Sequence, residues 1–140
     1  PKMAAIIEET WTTLLSKKIT KELCENLTSN GWAICDDVLG SKGLELVEEI
    51  NLLSQIENGF SEHNFQFGHA KSGEEPKMFR KPHIFELDMH DKRVNKLPLP
   101  QFKELFHSQA ISNALNVHLP EMQLLGHEST LKIQKNTGNG

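Results

Sequence analysis

The stretch LKIQKNTGNG, residues 131–140, decides how the chain is read. Leu131, Ile133 and Lys135 alternate with Lys132, Gln134 and Asn136, the period-two pattern of a strand with two unlike faces. Asn136-Thr137-Gly138-Asn139-Gly140 then favours a turn, because Asn and Gly accept left-handed backbone at low cost. A glycine-rich turn at a strand end usually hands the chain on to another strand. The stretch is therefore read as a core strand leading onward. Alone, residues 131–135 would present an unpaired edge, and the isolated chain is expected to aggregate through it.

Upstream of this strand the pattern changes period. Ile7, Trp11, Leu15, Ile19, Leu23 and Leu27, with Ile6 and Leu14 beside them, form a stripe at i, i+4 spacing. That predicts an amphipathic helix, or two in line, stopping at Asn30-Gly31. WAICDDVLG (32–40) is short and rich in β-formers and is read as a strand. Ser41 is placed to cap a helix that buries Leu46, Ile50, Leu53 and Ile56 and ends at Asn58-Gly59. Phe60 to Lys77 reads as a long loop or an irregular hairpin, and His83 to Met89 as a strand. A helix from Gln101 would bury Phe102, Leu105 and Phe106. Its continuation, capped by Ser108, would carry Ile111, Ala114 and Leu115 as far as Pro120. Met122–His127 and Leu131–Lys135 complete the expected strands. The fold class is mixed α/β (α+β). Its parts are a helical and strand entry layer (1–58), a long loop and strand (59–97), and a helix with the first core strands (98–140).

Composition narrows the function. Fifteen basic and nineteen acidic residues give a net charge of −4 and a pI near 6.0. Sequence-independent nucleic-acid binding needs a cationic surface, so the balance argues against it. No apolar run approaches the ~20 residues that span a bilayer, and PKMAAIIEETW lacks a signal-peptide pattern. Two cysteines, Cys24 and Cys35, read as reduced thiols of a soluble cytoplasmic or nuclear protein. The first residue is Pro rather than Met, as in a processed or trimmed terminus, and a cut at the other end would fit the same history.

Residue chemistry alone assembles no complete catalytic site. On a strand, Glu86, Asp88 and His90 would share one face, a set suited to a transition metal or simply to solvent. The seven histidines contain no HExxH pair and no His-x-Asp. Cys24 and Cys35 have no activating neighbour in the sequence, and Ser41 and Ser108 are accounted for as caps. Lys77, Arg80 and Lys81 could clamp an anion or stand in solvent. GHAKSG (68–73) and NTGNG (136–140) lack the spacing of a phosphate-binding loop.

Several segments together resemble the entry to the catalytic domain of prolyl-hydroxylase-like, iron(II)- and 2-oxoglutarate-dependent oxygenases. They are GWAICDDVLG (31–40) followed by LELVEEINLLSQ (44–55), the helix FKELFHSQAISNALNVHLP (102–120), and STLKIQKNTGNG (129–140). The last is similar to the strand and glycine turn that precede the iron-binding His-x-Asp. The resemblance covers about residues 20–140. It implies helices packed on strands of an incomplete double-stranded β-helix (jelly-roll) core, with every iron ligand falling after Gly140. It also implies hydroxylation or demethylation coupled to 2-oxoglutarate decarboxylation, on a protein side chain, a nucleic-acid base or a small molecule. Gln134 and Asn136, with Lys132 behind them, become the cosubstrate candidates. The family's frequent Tyr contact is missing, because the chain has no Tyr. Alone it should not turn over. A non-catalytic α/β interaction module engaging a protein through residues 60–81 is the rival reading, and a small metalloprotein on Glu86, Asp88 and His90 is a third.

Overall fold

A computed structural model describes residues 8–67, 73 and 75–138. Ile6, Ile7, most of GHAKSG and the end of NTGNG lie outside the described residues. The chain divides into two compact units that interleave in sequence. Pro1–Glu49 with Pro100–Ser129 form the first, and Ile50–Leu99 with Thr130–Gly140 the second. No helix among the described residues is long and apolar enough to cross a membrane.

The first unit is helical. Its apolar stripe breaks into two helices, α1 (Trp11–Lys18) and α2 (Lys21–Asn30). Thr10 and Thr13 form a reciprocal capping box, each hydroxyl accepting the other's amide at 3.2 and 3.0 Å. At Ile19 the backbone turns extended, and Thr20 Oγ1 accepts the Leu23 amide to start α2. Gly31 ends α2 in the left-handed conformation, as the Asn-Gly pair leads one to expect. Trp11, Leu14, Leu15, Ile19 and Cys24 are buried.

Residues 32–40 do not form the expected strand. Trp32–Cys35 take no regular structure and Asp36–Gly40 turn, with no ladder partner among the described residues. β-forming composition makes a strand only where another strand satisfies its backbone.

Helix α3 (Lys42–Gln55) gives its part up to Glu49 to the first unit and the rest to the second. Helices α4 (Pro100–Ser108) and α5 (Ala110–His118) pack against α1. Phe102 and Leu105 are buried, whereas Phe106 is half-buried and Ile111 faces solvent, against expectation. Ser108 ends α4 instead of capping α5: its Oγ accepts the Ala110 amide at 3.3 Å, but the cap position is Gln109, in left-handed backbone and with no side-chain cap bond.

The expected strand Met122–His127 is replaced by two single 3₁₀ turns, Pro120–Met122 and Gly126–Glu128. Asn116 supplies the physical reason. Its side-chain amide takes both the N–H and the C=O of Leu124, at 2.8 and 2.9 Å, satisfying the backbone that a ladder would have used.

The second unit is a three-stranded antiparallel sheet in the order β1 (Ser61–Phe67), β2 (Lys77–Asp88), β3 (Lys132–Asn136). Of the two readings for residues 60–77, the irregular hairpin is the one observed, and β2 starts well before His83. Ser61 and Glu62 pair with Glu86 and Phe85, but the next residue, His63, pairs with Lys81. Pro82, which has no N–H to donate, lies in the stretch of β2 skipped at this irregularity. Beyond it, β2 turns to β3, with Leu87 opposite Ile133 and Glu86 opposite Gln134. The mixed helix-and-sheet class is as expected.

Glu49 is the buried carboxylate that organises the helical unit, only 5% exposed. It accepts the amides of Gln101 and Phe102, the latter at 3.1 Å, and so caps α4 from another helix. The local cap position holds Leu99, whose side chain cannot accept a hydrogen bond. Glu49→Ala should therefore lower stability by about 2 kcal/mol, with Glu49→Gln losing less. Urea denaturation checks this, and an unchanged midpoint for the alanine variant would refute it.

Candidate functional site

The polar face of the sheet follows from its register. Leu87 and Ile133 sit opposite one another and are buried, so their neighbours Glu86, Asp88, Lys132 and Gln134 point to the other side. Glu86 lies at the centre of that side. Its Oε2 accepts from His63 Nδ1 at 2.8 Å and from Gln134 Nε2 at 3.1 Å. Lys132 Nζ lies 3.7 Å from Glu86 Oε1 and 3.6 Å from Asp88 Oδ2, bridging the two carboxylates. Each strand of the sheet thus sends a side chain to this carboxylate or carries it.

Burial alone pushes the Glu86 carboxyl up, but the hydrogen bonds from His63 and Gln134 and the nearby Lys132 charge outweigh it. Glu86 titrates below the ordinary glutamate range. The group is an ion at neutral pH and accepts hydrogen bonds only.

Outward along the hairpin, His63 stacks on Phe65 with ring centroids 6.2 Å apart, and Phe65 stacks on Phe79 at 5.6 Å. Lys81 Nζ lies 5.1 Å from the Phe65 ring centre. An aromatic ladder thus leads into the charged cluster. Arg93 ties down the other end of β1. It donates to Asn58 O at 2.8 Å, to Ser61 Oγ at 3.2 Å and to Asp91, whose carboxyl it holds low by hydrogen bonding.

The residues singled out in the sequence divide accordingly. Lys132 and Gln134 join one network. Asn136 lies on the same strand, but its Oδ1 accepts the Gly138 amide at 2.9 Å and closes the turn. Glu86 and Asp88 share a side, whereas His90 falls past the strand end, where its backbone amide donates to Asp88 Oδ1. Among the described residues, no three His, Cys, Asp or Glu side chains converge to hold a metal ion. Arg80 pairs with Glu62 at 3.2 Å while Lys81 lies over Phe65, so these two cations are engaged separately rather than in one clamp. Burial pushes the Cys24 thiol up, away from reactivity. A groove of about 240 Å³ beside it is lined by Lys21, Cys24, Glu25, Thr28, Ser29, His118 and Leu119. Its Lys21 and Glu25 charges pair with each other at 3.7 Å.

His63 was missed by sequence reasoning. Its place beside Glu86 depends on the irregular pairing after Glu62, and the one available signal was Pro82 interrupting a β-rich run.

Comparison with solved structures finds the chain similar to a prolyl 4-hydroxylase from Phytophthora capsici. The two are 28% identical with a TM-score of 0.63, and the match covers 94% of this chain and 38% of that one. The chain therefore spans less than two fifths of that chain's length, and the likeness supports a prolyl-4-hydroxylase-like fold. No protein-family model matches, and no curated protein matches.

A carboxyl with a depressed native value adds stability that is fully present above its unfolded value and is lost as pH falls through the native one. Glu86 and Asp91 should both steepen the loss of stability below the ordinary carboxylate range. Glu86→Gln should flatten that acid limb in urea midpoints recorded from about pH 6 to about pH 2.5. Identical limbs for the two proteins would contradict the Glu86 assignment.

Proposed function

We propose that this chain is the amino-terminal part of an iron- and 2-oxoglutarate-dependent hydroxylase, providing scaffold and pocket wall. The observation that carries this is the likeness to a prolyl 4-hydroxylase over nearly the whole chain at 28% identity. On this reading β3 is an early strand of a jelly-roll core, and its polar side faces the pocket.

The donor sets differ in how well they fit the implied groups. An iron site needs converging imidazole and carboxylate ligands, and the described residues bring no such set together. Iron is therefore given no ligand here and no step is routed through it. A dicarboxylate such as 2-oxoglutarate needs hydrogen-bond donors and positive charge. Lys132, Gln134 and Asn136 are the candidates this chain offers, all exposed on β3. When bound, the cofactor pair would supply the oxidising chemistry. This chain's residues would bind and orient, while the buried Leu87–Ile133 side seals the sheet from water.

The substrate on this reading is a protein side chain or a small molecule. A non-catalytic interaction module is the second reading, favoured by the solvent-facing Met78 and Phe79 on the hairpin, 61% and 44% exposed.

Succinate formation from 2-oxoglutarate, measured on the protein expressed from its whole reading frame with iron(II), tests the proposal. Lys132→Ala and Gln134→Ala should each raise KM for 2-oxoglutarate about tenfold, the effect of one lost hydrogen bond to a charged group. Absence of iron-dependent succinate formation would overturn the hydroxylase reading and leave the interaction module.

A further inference from the structure

We propose that Glu86 is a positioning residue that sets which atoms of His63 and Gln134 the sheet presents to a ligand. The inference deepens the hydroxylase reading and rests on it for its consequence in catalysis, but not for its geometry.

A carboxylate ion can only accept, so each partner must turn a donor toward it. Gln134 therefore commits Nε2 to Glu86, which fixes its amide orientation and turns its carbonyl oxygen away from the carboxylate. His63 commits Nδ1–H, so its neutral ring must carry the lone pair on Nε2. Free imidazole side chains favour the opposite tautomer. Lys132, held 3.7 and 3.6 Å from Glu86 and Asp88, has its charge balanced within the same network. One carboxylate, 16% exposed at its side chain, thus sets the polarity of groups from two other strands. A ligand meeting this wall finds an oriented amide and a basic ring nitrogen in place of two freely rotating side chains. Orientation fixed in advance lowers the entropy lost on binding.

The conservative change is informative because of oxygen count. Glu86→Gln keeps the shape but leaves one acceptor oxygen, and its amide nitrogen repels donors. It cannot hold His63, Gln134 and Lys132 together. Glu86→Ala removes all three contacts.

Side-chain nitrogen NMR on the protein expressed from its whole reading frame, at about pH 8.5, above the ordinary histidine range, reads the geometry directly. The unaltered chain should show His63 as the Nδ1–H tautomer and a Gln134 side-chain amide shifted from free glutamine. In Glu86→Gln and Glu86→Ala, His63 should revert toward Nε2–H and the Gln134 amide toward its free position. An Nε2–H tautomer in the unaltered chain overturns the proposal even if neither variant folds. So do unchanged His63 and Gln134 signals in a folded variant. In the whole-frame protein, Glu86→Gln should lower KM for 2-oxoglutarate with kcat little changed, because it removes a negative charge and frees the Lys132 ammonium and a Gln134 donor for a dicarboxylate. Equal losses in kcat and kcat/KM would show instead that Glu86 acts in the transition state. If the whole-frame protein forms no succinate, the hydroxylase reading fails. The tautomer result still decides the positioning role.

Discussion

The pairing of Leu87 with Ile133 is the constraint on which the sheet's polar face depends. Both side chains are buried, and each such burial is worth roughly 1.5–3 kcal/mol. Side chains alternate along a strand, so a slip of one residue would expose both and bury Glu86 and Gln134 instead. That penalty fixes the register, and the register places Glu86, Asp88, Lys132 and Gln134 together. The second constraint acts at Pro82. Without an N–H to donate there, β2 cannot pair evenly with β1, and the irregularity after Glu62 brings His63 to Glu86. Hydrophobic register and one missing donor are enough to assemble the network.

Both units place a carboxylate where backbone or side-chain donors would otherwise be unsatisfied. Glu49 serves a helix start whose own cap position is leucine, and Glu86 serves donors from β1 and β3. Arg93 does the converse with a cation, joining the turn at Asn58, the start of β1 and the turn at Asp91. In each case one charged group satisfies several partners, which is how a charge becomes tolerable away from water. The consequence is specificity: each group holds chain segments far apart in sequence in one arrangement.

Local signals in the sequence were readable where local physics decides the outcome. Gly31 ends α2 because its left-handed backbone suits glycine, and the alternation in 131–136 gives β3 its two faces. Readings failed where the outcome depends on a distant partner. Trp32–Cys35 has strand composition but no neighbour to pair with among the described residues, and Leu124 has its backbone taken by Asn116. For the candidate site, Lys132, Gln134, Glu86 and Asp88 were each legible as polar positions on strands. That Lys132 and Gln134 converge on Glu86 was not, because strand register is set by pairing. His63 was invisible for the same reason.

The chain has a fold like that of a prolyl 4-hydroxylase and a polar sheet face organised by one carboxylate, which the proposed reading takes as part of a pocket wall. The central claim is that β3 and its glycine turn lead into an iron-binding His-x-Asp. The most direct test is the sequence of the transcript through and beyond the codon for Gly140. An in-frame His-x-Asp shortly after the turn is the predicted result. A stop codon directly after Gly140 would contradict the account.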